Sequence, residues 1–286
     1  AASDVYKRQI IYQLQYAWTA SEWRFRISEA ILYSDYIDYG EVIILNTIKI
    51  DSKQAKMIAH RGLSGLEREN TCPAFVAAGN RSYFGIETDV HITKDGKFVI
   101  IHDETTDRVS LGQSSINVEE NDYAAVSGLV LPDLDQTTNR QDIRIPLLAD
   151  YINICKKYDK VCVLELKNAF PEECIKKIIQ EIQSLGYIEN IIFISFHFGN
   201  CVNLRKYLPN NDIQLLTGDE VTSEMIDTLV QNKLNLDIYY KRLSKENVNQ
   251  LHSRGIKVNC WTCDDKADAD ELIEMGVDFI TTNILE

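Results

Sequence analysis

From residue 56 onward the chain alternates short apolar runs with amphipathic stretches. The runs are 57–60 (MIAH), 85–90 (GIETDV), 161–166 (VCVLEL), 191–196 (IIFISF), 213–217 (IQLLT), 234–238 (LNLDI), 256–262 (IKVNCWT) and 277–282 (VDFITT). Most are separated by stretches with helical spacing, notably 171–186, 222–233, 244–255 and 265–276. Near-continuous Val, Ile and Leu runs between helices predict parallel strands buried on both faces. Eight such runs in about 230 residues match an α/β fold of the (β/α)8 TIM-barrel size. A doubly wound open sheet shares this periodicity, but HRGLSG after the first run contains neither a glycine-rich phosphate loop nor a dinucleotide fingerprint.

Two regions break the alternation. Residues 85–103 put a strand, the Lys94-Asp95-Gly96-Lys97 turn and a second strand together with no helix between, so the second strand must return antiparallel as a short hairpin excursion after barrel strand 2. A two-residue turn at Asp95-Gly96 sets Asp89 opposite His102, with Glu87 on Asp89's face; a slip of one residue sends His102 to the other side. Residues 1–55 carry an aromatic-rich segment of helical period, a turn near Gly40 and an apolar link over 41–50. They read as a mainly helical N-terminal extension that packs on the barrel or docks elsewhere. The expected units are therefore 1–55 and a barrel over 56–286.

Composition narrows the function. Among 286 residues, 30 basic against 43 acidic side chains leave a net charge of -13. Such a surface repels phosphate backbones and anionic membranes, so nucleic acid is not an expected partner; local positive potential can still hold one phosphorylated small molecule. No apolar run approaches the roughly 18 residues of a membrane span. The 7 scattered cysteines suggest reduced thiols and a cytoplasmic setting. The pair Cys260 and Cys263 lies at the end of an apolar run and reads as core.

Glu87, Asp89 and Glu165 lie inside apolar runs, where a carboxylate needs compensation for lost hydration. A shared cation supplies it, and an all-oxygen set selects a hard divalent ion, Mg²⁺ or Ca²⁺. Of 5 histidines, His60 ends the first run and His102 ends the return strand, both at the strand C-terminal mouth where barrel chemistry sits. Together they suit an acid and a base near neutral pH. His91 shares the carboxylate face but lies toward the hairpin turn, His197 could line the rim, and His252 sits on a polar helix. Arg61 suits bidentate contact with phosphate, and Lys167 shares a strand face with Glu165. Trp261 offers an aromatic wall for a small polyol.

The motifs MIAHRG, ENT at 69–71, GIETDVHITKDGKFVIIHDET, LELK, ISF, NCWT and DFITTN stand in the order and context of the glycerophosphodiester phosphodiesterase family, which this chain resembles over about residues 56–286. The resemblance implies a barrel that hydrolyses glycerophosphodiesters to sn-glycerol 3-phosphate and an alcohol with one divalent cation. It implies catalytic His60 and His102, metal ligands Glu87, Asp89 and Glu165, and substrate contacts from Arg61, Asn70 and Lys167. Glu69 is implied to organise the first loop with Asn70. The expected chemistry is attack by the glycerol 2-hydroxyl to give a cyclic phosphate, with His60 as acid and His102 as base. Direct attack by water is the alternative. A related phospholipase D-like lyase, acting on lysophospholipids and stopping at the cyclic product, is the other enzyme reading. Departures from the family pattern are Arg68 where a proline commonly precedes ENT, and Asn283 where an Asp is frequent. Residues 104–145 are expected to form a substrate-facing lid.

Overall fold

The computed structural model describes residues 46–286 and two short antiparallel strands, Asp38–Tyr39 and Val42–Ile43. The helical segment expected in the first 45 residues lies outside the described residues. The barrel strands are β1 (Lys56–Ala59), β2 (Gly85–Ile92), β4 (Val161–Leu166), β5 (Ile191–Ser195), β6 (Asp212–Thr217), β7 (Asn235–Tyr239), β8 (Val258–Trp261) and β9 (Phe279–Thr282). They pair in parallel in the order β1-β9-β8-β7-β6-β5-β4-β2, and β1 pairs with β2 to close the ring. The hairpin strand β3 (Phe98–Ile100) runs antiparallel along β2. This is the (β/α)8 barrel that the periodicity predicts.

The main helices are α1 (Cys72–Gly79), α3 (Leu148–Lys157), α4 (Glu172–Ser184), α5 (Phe198–Tyr207), α6 (Ser223–Asn232), α7 (Lys245–Ser253) and α8 (Lys266–Met275); a short α2 (Tyr123–Ser127) lies in the long insertion. In α4, Ile175, Ile178, Ile179 and Ile182 make one apolar stripe and are all buried. These stripes form the main core against the outer faces of the strands. Ile58, Val163, Ile192, Ile194, Leu216 and Phe279 form a second apolar layer. No helix among the described residues is long and apolar enough to cross a membrane.

Three features go beyond what the periodicity predicts. The hairpin loop has three residues, because Thr93 N–H donates to Lys97 O (2.8 Å) and Gly96 takes φ +79°. That shifts the register by one, so His91 faces Val99 and Val90 faces Ile100, and Asp89 is not opposite His102. The ladder nevertheless ends at Ile100, and the following bend frees His102 from strand alternation. Residues 104–145, expected to face substrate, are not a loose loop: with β3 they enclose a small core of their own, including Val99, Ile101, Val118, Leu131 and Ile143. Finally, residues 48–50 pair with the last strand's tail, Ile48 N–H donating to Ile284 O (3.1 Å) and Ile50 N–H to Glu286 O (2.8 Å).

Candidate active site

At the C-terminal end of the strands, a cleft is lined on one side by His60, Arg61, Glu87, His102, Glu165 and Lys167. Ile194, Phe196, Leu216 and Trp261 form an apolar wall opposite, with Asp237 and Thr281 also on the surface. The site's positions follow from strand geometry. Glu87 and Asp89 share a face of β2 by the two-residue period, and the β2–β4 register sets Asp89 beside Glu165. Ligand oxygens of these three buried carboxyls lie within 4.8 Å of one another.

The electrostatics of that cluster fit a cation. Burial, then the charges of Asp89 and Glu165, push Glu87 well above the usual carboxylate range. Burial and Asp89 raise Glu165 to about 7. At Asp89, burial opposes ionisation but Lys167 and Arg61 outweigh it and hold the carboxyl low. Lys167 Nζ sits 2.8 Å from Glu165 and 3.5 Å from Asp89, and Arg61 Nε sits 3.6 Å from Asp89. Three carboxyls that cannot all ionise unaided, in a hard-donor set, are suited to a divalent ion.

The first loop is bent to serve this cluster. Arg61 and Asn70 take φ +55°, and Gly62 follows at +77°. The two non-glycine residues each cost about 1 to 3 kcal/mol of strain. In return Arg61 N–H donates to Glu87 Oε2 (2.8 Å), and Asn70 N–H to Arg61 O (2.9 Å). Gly62 has no substitute here, since a Cβ would lie 2.7 Å from the backbone of Ala74. Asn70, expected to touch substrate, is buried behind the cluster instead: Nδ2 donates to Asp89 Oδ2 (2.8 Å) and Oδ1 accepts from Thr88 (2.7 Å). Glu69 bridges Arg61 (2.8 Å) and Arg108 (2.8 and 2.9 Å); against the burial penalty these cations hold its carboxyl down at about 2. Arg68 donates to Val109 O (2.6 Å), so the residue replacing the customary proline ties this loop to the insertion.

The two histidines have different partners. His60 Nδ1–H donates to Asn283 Oδ1 (2.8 Å), and Asn283 Nδ2 donates to Asp264 Oδ2 (2.6 Å), which fixes the amide's orientation. Nε2 of His60 is thereby left as the acceptor and lies 3.9 Å from Glu87 Oε2. Burial, aided by Arg61, lowers His60 to about 4, so it is neutral at pH 7. His102 Nδ1–H donates to Asp103 Oδ1 (2.6 Å), and Arg108 Nε donates to Asp103 Oδ2 (2.7 Å). Burial also lowers His102, with Asp89 opposing the shift.

Several supporting residues escaped the sequence reading. His91, discounted for its place along the hairpin, is 1% exposed; its Nε2–H donates to the His102 carbonyl (3.1 Å) and Nδ1 pairs with Glu119 (3.0 Å). Asp103 and Arg108 were legible only as neighbours of His102. His197 is exposed and off the cleft, and His252 pairs with Asp278 (2.9 Å) on a helix surface. Cys260 and Cys263 are buried, and burial pushes the Cys263 thiol up to about 12, so neither is a reactive thiolate.

Comparison with known proteins agrees with this arrangement. A family model described as "Glycerophosphoryl diester phosphodiesterase family" matches residues 60–286. A glycerophosphodiester phosphodiesterase of Caldanaerobacter subterraneus subsp. tengcongensis is 31% identical, the match covering 79% of this chain and 93% of that protein. The solved structure of a glycerophosphodiester phosphodiesterase from Parabacteroides distasonis superposes with a TM-score of 0.68 at 26% identity, covering 80% of this chain and 93% of that one. An Oleispira antarctica phosphodiesterase in complex with the product sn-glycerol-3-phosphate shares the fold, with a TM-score of 0.73 at 24% identity and coverage of 82% and 95%.

Proposed function

We infer that this chain, which belongs to the glycerophosphoryl diester phosphodiesterase family, is a metal-dependent phosphodiesterase hydrolysing glycerophosphodiesters to sn-glycerol 3-phosphate and an alcohol. The observation that carries the reading is one cleft bringing together two histidines, two phosphate-binding cations and two carboxylates of the cluster. Glu87, Asp89 and Glu165 would hold the cation, Mg²⁺ or Ca²⁺. Such an ion supplies charge neutralisation at phosphate and acidifies an attacking hydroxyl.

The chain's own groups divide the remaining work. Arg61 and Lys167 clamp the non-bridging phosphate oxygens. Neutral His60, with Nε2 unprotonated, takes the proton of the glycerol 2-hydroxyl as that oxygen attacks phosphorus. His102, whose imidazolium Asp103 favours against the lowering effect of burial, gives a proton to the departing alcohol. This reverses the expected roles, and the reason is the neutral amide behind His60 against the carboxylate behind His102. Opening of the cyclic phosphate by water then uses the same groups in opposite senses. The apolar wall accommodates the carbon skeleton.

The test is turnover of glycerophosphocholine, glycerophosphoethanolamine and lysophospholipids by metal-stripped protein before and after adding Mg²⁺ or Ca²⁺, with products followed by phosphorus NMR. Cation-dependent release of glycerol 3-phosphate is expected. A cyclic phosphate as the final product, or turnover of lysophospholipids alone, overturns the hydrolase reading in favour of a lyase.

A further inference from the structure

Among the described residues, few buried side-chain polar atoms lack a hydrogen-bond partner, and Arg61 Nε, Glu165 Oε1, Trp261 Nε1 and Asp237 Oδ1 all belong to residues on the cleft. Asp237 is the one without an assigned task. It lies on β7, is 1% exposed, and its carboxyl takes part in no hydrogen bond among the described residues. Its neighbours satisfy one another and leave it out: Asn259, level with it on β8, donates to Gln214 (3.0 Å) and accepts from Thr281 (3.3 Å). On the other side stands Leu216.

Retaining an unpaired buried carboxyl costs about 1 to 3 kcal/mol, and more if it is charged. Where a fold keeps such a group facing a cavity, a ligand is the natural partner. Its position limits the ligand. In the ring order, β7 lies four strands from β2 in either direction, directly across the barrel from Glu87 and Asp89. Asp237 therefore meets a substrate from the side opposite the phosphate-holding groups. The cation cluster does not include it.

We propose that Asp237 is a specificity-determining residue that hydrogen-bonds the terminal hydroxyl of the substrate's glycerol moiety. The proposal rests on the glycerophosphodiesterase reading above. The 2-hydroxyl is committed to attack, so the terminal hydroxyl is the glycerol's remaining donor. A polyol satisfies Asp237 while its carbons lie on Ile194, Leu216 and Trp261; a purely apolar group of the same size leaves the carboxyl orphaned.

A substrate pair differing only at that hydroxyl tests it: glycerophosphocholine and the corresponding propane-1,2-diol phosphocholine, which keeps the attacking hydroxyl. The cation-loaded wild-type protein is expected to favour the glycerol ester in kcat/KM by about 10- to 100-fold, the cost of leaving a buried polar group unsatisfied. Asp237→Leu should compress that preference to within about threefold, with Asp237→Asn between. Thermal melting should show both variants folded and Asp237→Leu at or above the wild-type temperature, because an unpaired buried carboxyl has been removed. A preference that stays the same in folded variants overturns the role of Asp237. So does a loss of cation binding, measured by calorimetry, in Asp237→Asn. Failure of the underlying reading looks different: wild-type protein would then cleave bis(4-nitrophenyl) phosphate and neither glycerol-type ester.

Discussion

The substitution His102→Ala, compared with His60→Ala, tests the division of labour through the basicity of the leaving group. A choline alkoxide departs poorly unless protonated, whereas nitrophenolate departs without help. General acid catalysis contributes about 10²- to 10⁴-fold, or about 2.7 to 5.4 kcal/mol of barrel-site stabilisation of the transition state. The structure places His102 at the lower end. Its side chain is 31% exposed, so water can enter the space left by the ring and deliver a proton, whereas the His60 side chain is only 19% exposed. The expectation for His102→Ala is therefore about 10²-fold slower release of glycerol 3-phosphate from glycerophosphocholine. With glycerol 3-(4-nitrophenyl phosphate), followed by release of nitrophenolate in the first step, the loss should shrink to under about tenfold, because that step lacks only the proton donor. His60→Ala should slow both substrates by about 10³-fold or more, since the attacking hydroxyl is common to them. Initial rates under saturating cation, with circular dichroism confirming the fold, decide the matter. Equal losses on the two substrates in His102→Ala, or sparing of the nitrophenyl ester in His60→Ala, would refute the assignment.

Other outcomes follow from the cluster and its supports. Because burial and Asp89 raise Glu165 from 4.5 to about 7, the stability held by its protonated form below pH 4.5 is lost as pH rises through about 7 in cation-free protein. Glu165→Gln should remove that loss of about 3 kcal/mol; urea denaturation should find it more stable than wild type at pH 8, similar at pH 4, and less stable once saturating Ca²⁺ is added. His91→Phe removes the donor to the His102 carbonyl and should lower kcat by about tenfold with KM little changed; a KM effect alone would refute a positioning role. Gly62→Ala forces a Cβ to 2.7 Å from Ala74's backbone, so it should lower the melting temperature and weaken Ca²⁺ binding measured by calorimetry.

The barrel was legible because parallel strands buried on both faces leave unbroken apolar runs, and the carboxyl cluster that could hold a cation because Glu87, Asp89 and Glu165 interrupt those runs. What sequence spacing could not supply was the partner of each ligand. Asn70 looks like any polar loop residue until Asp89 is placed behind it. The histidines' hydrogen-bond partners are Asn283 and Asp103, one of them 223 residues from its partner His60. Register failed for a local reason: Gly96 in the left-handed region adds a residue to the hairpin loop, and alternation cannot report a shift that the turn decides. The insertion's core was not legible, because the apolar residues that form it are scattered singly through a polar stretch.

That separate core has a consequence for how the enzyme can fail. His60 leaves β1 and is framed by the barrel, whereas His102 hangs from a hairpin whose Val99 and Ile101 pack into the insertion's apolar cluster. His60 and His102 thus belong to parts of the molecule with separate apolar clusters. A small cluster opens at lower free energy than a closed ring of strands. Heat or mild denaturant would withdraw His102 first, leaving a barrel with its ring of strands intact and Arg61 and Lys167 in place. In amide exchange the molecule would then show a quickly labelled arm over 98–145 beside a slowly labelled ring, and an inactive, ligand-competent protein that recovers on cooling without refolding its barrel.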